Sequence, residues 1–421
     1  MSGGGRAAAG LFRFRVTILK TSPEADSPAA ALAPALPFVL ASSRRLLVAD
    51  GAARVVPSVP AHDLVPHLQR LVDADAAPSS LVVGALPFDH ARPAHLFVPS
   101  TVVRIDEPTT AERFRHLPPA SDEHVAAALT LSPEPPAAVY AANVGRILKR
   151  IGTPARPGQL SKVVLARSLA LTSTRVIDTA RVIRRLAADA SVTTFCVPLP
   201  PARGTRRAIV GATPELLLSK TGGRVASTPL AGSARRAADP SVDRDRIHEL
   251  LRSSKDRREH AAVVEWIADR LSPFCADLTV PDEPEPVSTD SMWHLGTRIS
   301  GALRDEATSS VELALAIHPT PAVCGLPVAD AAAAIAELEP FDRGFFAGAV
   351  GWCQADGDGE WLVSIRCAEL DEHHARLYAG AGIVAGSDPA AELDETSAKF
   401  LALLRALGVD ESGQPIAGSG V

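Results

Sequence analysis

After Met292 the chain offers four strand-like runs in succession, HLGTRISGAL, GFFAGAVGW, WLVSIRCAEL and ARLYAGAGIVAG, before one final helix. Strands that follow one another without a covering helix between them pair as antiparallel neighbours, because a parallel pair needs a long crossover. The expected class is therefore α+β, with large, mostly antiparallel sheets and helices packed outside them. The same texture begins near Gln159 with KVVLARSLAL, TTFCVPLP and RAIVGATPELLLSK, followed by one charged helical span over about 243–271. Residues 20–145 are rich in Ala, Pro and Arg and are punctuated by SPEADSPAAALAPALP and LSPEPPAA, so elements there are short. Within them RRLLVAD, SLVVGALPF and HLFVPS read as strands and 63–72 as a helix, together a β-rich lobe with a covering helix. No fixed-period repeat and no linker is visible. One domain is expected over 21–410, between a poorly ordered leader, 1–20, and a flexible tail, 411–421.

The 421 residues carry 43 Lys and Arg against 48 Asp and Glu, a net charge of −5. That lacks the basic excess that nucleic acid demands and points to a small-molecule partner. Cys196, Cys275, Cys324, Cys353 and Cys367 are odd in number and form no C-x-x-C pair, which fits buried thiols in a reducing cytoplasm better than disulfides or a zinc site. The N-terminus MSGGGRAAAGLFRFRVTILK has no apolar run long enough for a signal peptide or a membrane span.

The chemistry concentrates late in the chain. In AGAGIVAGSDPAAELDETSAKF, Gly380, Gly382 and Gly386 let the backbone approach a ligand closely, and Ser387 or Asp388 can cap a helix that starts at Pro389. Glu392 and Glu395 then share a helix face, and two carboxylates at that spacing suit a hard cation such as Mg²⁺ shared with an anionic substrate. The alternative is a solvated face with Glu395 and Lys399 as an ordinary i,i+4 pair. Lys162 opens KVVLARSL, on the strand face of Val164 and Ala166, where it either reaches solvent or is desolvated toward the neutral amine of a general base. Glu215, after the Gly-Ala-Thr-Pro turn and before three leucines, is either an exposed turn acid or a buried carboxyl able to donate a proton. In EHAAVVEWIADRL, Glu259 falls at the margin of the stripe Val263, Val264, Ile267 and Leu271, whereas Glu265 and Asp269 lie opposite, so Glu259 is the candidate third ligand. Arg366, among strand-forming apolar residues, needs a carboxylate or phosphate; Glu369 could supply one internally. His294 and the turn HPTPAVCG add polar groups beside glycines.

Read together, KVVLAR, GATPELLL, TPLAGSARR, EHAAVV, HLGTRISG, HPTPAVCG, PFDRGFFAGAVGW, SIRCAEL and AGAGIVAGSDPAAELDET resemble the chorismate-utilising enzymes, and within them the isochorismate synthases. The resemblance covers about 160–400, within a motif-bearing part at 159–407; residues 21–150 match only loosely, as the variable part of this family does. It implies the large-sheet fold of that family, Mg²⁺ as cofactor, chorismate as substrate, and conversion of chorismate to isochorismate by a monomer without an obligatory glutamine amidotransferase. It also implies roles. Lys162 looks like the base that activates water and Glu215 like the acid facing it. Glu259 and Glu395, with Glu392, resemble the magnesium ligands. Arg366 and Lys399 look like carboxylate anchors, assisted by backbone N–H groups near Gly380 and Gly382. His294, the Ala231, Gly232, Ser233 turn, and Thr320, Ala322 and Val323 resemble groups lining the substrate ring. Where many relatives have Arg then Gly after the A-G-S/T turn, this chain reads ARRAAD, leaving the loop after Ser233 open. The turn PTPAVCGLP departs from the P-x-G-T-x-x-G-A-P pattern of the aminating relatives. A salicylate synthase, which goes on to eliminate pyruvate, has closely similar motifs.

Overall fold

A computed structural model of the chain describes residues 16–20, 36–68, 81–121, 129–151, 158–202 and 204–416. The described strands assemble into sheets of eleven, nine and three strands, and helices cover them, so the class is α+β. Near one end of the largest sheet the strand Lys162–Ser173 pairs antiparallel with the whole of His374–Val384. Its alternation is as the sequence dictates. Val163 and Leu165 pack under the helices Ala137–Ile151 and Val328–Leu338, while Ala166 joins the main core between the two large sheets.

Two neighbouring segments change sheet side by side. RAIVGATPELLLSK is not one strand: Thr205–Thr213 belongs to the eleven-stranded sheet and Leu216–Thr221 to the nine-stranded one, with Pro214 and Glu215 between them. WLVSIRCAEL divides likewise into Gly359–Val363 and Cys367–Leu370, with Ser364, Ile365 and Arg366 crossing over. The crossings are tied to each other by Val363 N–H donating to Glu215 O at 3.1 Å and Ala212 N–H donating to Arg366 O at 3.1 Å. Arg366 takes a left-handed backbone, φ +49°, which is uncommon for a residue with a Cβ.

Several sequence expectations need correction. The helical span 243–271 is two helices, Pro240–Arg252 and Ser254–Leu271, because the Ser253 side chain caps the second by accepting from Asp256 N–H at 3.2 Å. Helices Ser310–Ile317 and Val328–Leu338 interrupt the expected succession of strands; the second is the alanine-rich run ADAAAAIAEL, a strong helix former. The early strands Arg45–Asp50, Leu81–Leu86 and His95–Val98 do not build a lobe of their own but extend the two large sheets. The helix expected at 63–72 starts with the turn Ala61–Asp63 and runs to 68, its remainder lying outside the described residues. Val16–Lys20, assigned to the leader, is an edge strand on Thr101–Asp106; residues 1–15 lie outside the described residues. Of the expected tail, 411–416 folds back, with Val409 bridging Pro415, and 417–421 lies outside. All five cysteines are free and buried. Among the described residues no helix is long and apolar enough to cross a membrane.

One buried ion pair fixes the strand Lys162–Ser173 to its surroundings. Arg343 holds Glu339 at 2.5 and 2.8 Å, and its remaining donors bond Val164 O at 2.7 Å and Val323 O at 2.8 Å; Glu339 in turn accepts from Ala166 N–H at 2.7 Å. Every guanidinium nitrogen has a partner, the condition under which a buried pair is tolerated. Replacing Arg343 with Met strands Glu339 and two carbonyls. Urea denaturation should show a loss of about 3–5 kcal/mol, and a loss below about 1 kcal/mol would contradict this role.

Candidate active site

The two sheet crossings, the paired strands Lys162–Ser173 and His374–Val384, and two helix ends enclose one cavity. Val164, Gly380 and Gly382 form its floor, and Glu215 and Arg366 face it from the crossings. The three-stranded sheet contributes Ala231, Gly232, Ser233 and His294; the C-terminal helix Pro389–Leu407 contributes Glu392, Glu395 and Lys399. Glu259 comes from the helix Ser254–Leu271, while exposed Glu265 points away from the core. Ala322 and Val323 close one side. Thr320 does not: its side chain is buried behind the turn and its carbonyl is taken by Val323 and Cys324 N–H groups at 3.1 and 3.0 Å.

Glu215 is 3% exposed, and burial pushes its carboxyl up to about 8. A backbone hydrogen bond from Leu230 and the charges of Lys162, Arg366 and Lys399 only partly oppose that rise. The buried acid, not the exposed turn, is the correct reading, and Glu215 carries a proton near neutral pH.

Lys162, 3% exposed, does not itself line the cavity. Its Nζ is 2.8 Å from Glu259 Oε1, so the amine is an ion-pair partner of the acid expected to bind metal. Gly382 makes that pair possible. A Cβ there would stand 2.5 Å from Glu259 Oε1 and 3.2 Å from Lys162 Cε.

The other acids are matched to lysines in the same way. Lys399 Nζ lies 2.5 Å from Glu395 Oε1 and 2.8 Å from Gly380 O, and Lys255 Nζ is 3.4 Å from Glu392 Oε1. The i,i+4 pair of Glu395 and Lys399 thus exists, but inside the cavity and not on a solvated face. Ser233 Oγ donates to Glu395 Oε1 at 3.2 Å, and the loop after it is latched by Arg236 and Trp293 on Asp243. Burial raises the Glu392 carboxyl, with the charge of Glu395 adding to it, and raises Asp256, where Glu259 and Glu395 add theirs. Against burial, Lys399, Arg366 and Ser233 keep Glu395 below its ordinary range. Among the described residues no three His, Cys, Asp or Glu side chains are gathered as a ready-made ion cage.

Arg366 is the one cation lining the cavity that has no carboxylate within salt-bridge distance among the described residues. Glu369, its possible internal partner, pairs with Arg207 instead. Desolvation holds the guanidinium down to about 10, opposed by Glu395 and Glu215. His294 is neutral, kept well below its usual range by burial and by the charges of Arg366 and Lys399, and its Nε2 has no protein partner. An orphaned ring nitrogen and an unpaired guanidinium facing one cavity call for a polar, anionic ligand.

The backbone adds donors. Val164 and Ala166, register partners of Gly382 and Gly380, direct their N–H groups to Cys324 O and Glu339 Oε1, away from the glycine strand. In an antiparallel ladder their opposite residues also turn outward, so the Gly380 and Gly382 N–H groups face away from the pairing.

Sequence reading missed Arg343, Phe346, Ala347 and Tyr378 on the cavity wall, and Lys255 and Asp256 at the helix end. Ser253 followed by Asp256 was a legible cap signal for the last two. Tyr378 and Phe346 stack at 4.8 Å with an 8° tilt, a contact between residues far apart in sequence that no local pattern encodes.

This fold and cavity define a class. The chain belongs to the chorismate binding enzyme family, whose sequence profile matches residues 100–408. It is 46% identical over 383 residues to isochorismate synthase DhbC of Bacillus subtilis (strain 168), covering 89% of this chain and 94% of that one. A crystal structure from Bacillus anthracis, described as a 2,3-dihydroxybenzoate-specific isochorismate synthase, DhbC, superposes with TM-score 0.80 at 42% identity, over 89% of this chain and 96% of the other. MenF, the menaquinone-specific isochorismate synthase of Escherichia coli, superposes with TM-score 0.73 at 25% identity, over 94% of each chain.

Glu215 titrating near 8 has consequences in two measurements. Activity should fall as pH rises through about 8, because the proton to be donated is lost. An unfolded glutamate ionises near its ordinary value of 4.5, so the stability contributed by this buried neutral acid is full below 4.5 and lost as pH rises through about 8. Glu215→Gln should therefore gain stability relative to the parent across that window in parallel denaturation curves; a constant difference from pH 4.5 to 8 would contradict the buried acid.

Proposed function

We propose that the protein is an isochorismate synthase, converting chorismate to isochorismate in this cavity. The observation that carries the reading is the protonated, buried Glu215 in a cavity that also holds the unpaired Arg366 and Glu259, whose partner Lys162 stands just behind the lining. Water adds its oxygen to ring C2 and gives up a proton, the double bonds shift, and the C4 hydroxyl takes a proton and departs as water. Nothing is oxidised or reduced. The reaction needs a base and an acid acting at different ring carbons, and Lys162 and Glu215 are the residues for them. The 2.8 Å contact with Glu259 holds the Lys162 amine in place. Arg366, with its bidentate fork, and Lys399 anchor the two substrate carboxylates, assisted by the Gly380 and Gly382 N–H groups. His294 Nε2 is placed to hydrogen-bond the ring substituents.

The donor chemistry of Glu259, Glu392 and Glu395 fits Mg²⁺. All three offer carboxylate oxygens to one cavity, and Glu392 and Asp256 are raised by burial first, with neighbouring carboxylates adding to it. Mg²⁺ bound by these three acids would neutralise that charge and one substrate carboxylate. We further propose a cytoplasmic monomer that needs no glutamine amidotransferase, with product feeding a 2,3-dihydroxybenzoate-derived siderophore or menaquinone. The buried free thiols support a reducing compartment.

The test is incubation of purified protein with chorismate and Mg²⁺, with isochorismate, salicylate, pyruvate and anthranilate resolved by chromatography. Isochorismate is the expected product and EDTA should abolish it. Lys162→Ala should slow turnover by about 10²–10⁴-fold, whereas Arg366→Ala should chiefly raise KM. Anthranilate as product, full turnover in EDTA, or a Lys162→Ala enzyme within about tenfold of the parent would each overturn its part of the assignment.

A further inference from the structure

Thr396 and Ser397 lie inside the C-terminal helix, where hydroxyl side chains are poor helix formers, and the reaction uses neither. Both hydroxyls donate back to Leu393 O, at 2.8 and 2.9 Å. Both also accept from one guanidinium: Arg167 Nε reaches Thr396 Oγ1 at 2.8 Å and Arg167 Nη2 reaches Ser397 Oγ at 2.5 Å. Arg167 stands on the strand that begins with Lys162. It shares the face of Val163 and Leu165, which is turned from the cavity, and its guanidinium lies 5.9 and 5.2 Å from the ring centres of Tyr140 and Phe400. It is buried, yet no carboxylate comes within salt-bridge distance of it among the described residues.

A buried guanidinium without a counter-ion is costly, and an apolar side chain would fill the space between two aromatic rings at lower cost. What only arginine supplies here is a rigid planar fork that engages two successive hydroxyls on one helical turn. That turn, 393–397, contains Glu395, follows Glu392 directly and precedes Lys399. A helix packed on a sheet by apolar contacts alone can rotate or slide by small amounts, because those contacts are non-directional. Hydrogen bonds from a fixed strand to two points on the turn remove both freedoms.

We propose that Arg167 is a positioning residue that fixes the rotation of the C-terminal helix, so that Glu392 and Glu395 are presented to the cation. The inference rests on the assignment of those acids as Mg²⁺ ligands. It assigns Thr396 and Ser397 a purpose: they are the two points by which the helix is held.

Mn²⁺ serves as the probe, its binding followed by electron paramagnetic resonance in the presence of chorismate and isochorismate at equilibrium. Three variants are compared with the parent: Arg167→Met, Arg167→Lys, which keeps the charge but not the fork, and Thr396→Val, which removes one hydroxyl with little change of shape. Arg167→Met and Thr396→Val should weaken Mn²⁺ binding by about 10–100-fold, with Arg167→Lys between them and the parent. At saturating Mg²⁺, kcat should stay within about threefold of the parent. Unchanged Mn²⁺ affinity in Thr396→Val, which retains the guanidinium and decides the matter if Arg167→Met does not fold, overturns the inference alone. A parent that binds no Mn²⁺ defeats the metal assignment and the inference with it.

Discussion

The site exists because two adjacent backbone segments leave one sheet for another at the same level. Where Pro214–Glu215 and Ser364–Arg366 cross, the regular ladder is interrupted, and the crossings bond each other through Val363 N–H to Glu215 O and Ala212 N–H to Arg366 O. Backbone polar groups in a buried place must be paired, and these two bonds do so without a continuous strand. Side chains at such a break are freed from the alternation that would send them to core or solvent. Glu215 and Arg366 are thereby presented to a cavity between sheets, one as a buried neutral acid, the other as a guanidinium with no internal counter-ion.

Around that break, charge is balanced pair by pair. Lys162, Lys255 and Lys399 each take one of Glu259, Glu392 and Glu395, which lets these acids and Asp256 stand beside Glu215 at one cavity without unfolding it. The pairs share exchangeable partners. On the proposed function, a dianionic substrate would compete for the lysines and a divalent cation for the acids, so the same side chains would serve the empty and the loaded enzyme. The Arg343–Glu339 clamp ties the cavity floor at Val164 and the neighbouring Ala166 through hydrogen bonds that none of these pairs uses.

Much of this was legible in the sequence because it depends on local pattern. The α+β class followed from strand runs, the helix start at Pro389 from the Ser-Asp-Pro cap, and the orientation of Glu259 from helical periodicity. Other features were not local. The sheet change at Arg366 looks like an uninterrupted strand in one dimension, and the Gly-Ala-Thr-Pro turn before Glu215 marks a bend without showing that the chain changes sheet there. The stack of Tyr378 on Phe346 and the reach of Arg343 to Val164 O depend on residues that meet only after folding. Thr320 was misplaced for a related reason: a turn motif identifies which residues bend the chain, not which side chain faces the cavity. The Lys162–Glu259 pair was hidden because each residue, taken singly, had a separate role.

The central claim is that Lys162 and Glu215 pass water through the substrate, one oxygen entering at C2 as another leaves from C4. The most direct measurement is to run the reaction in ¹⁸O-labelled water and locate the label in the product by mass spectrometry. The account predicts isochorismate carrying one ¹⁸O, at C2, from the first turnovers onward. Unlabelled isochorismate would mean that the hydroxyl moves within the substrate, and would contradict it.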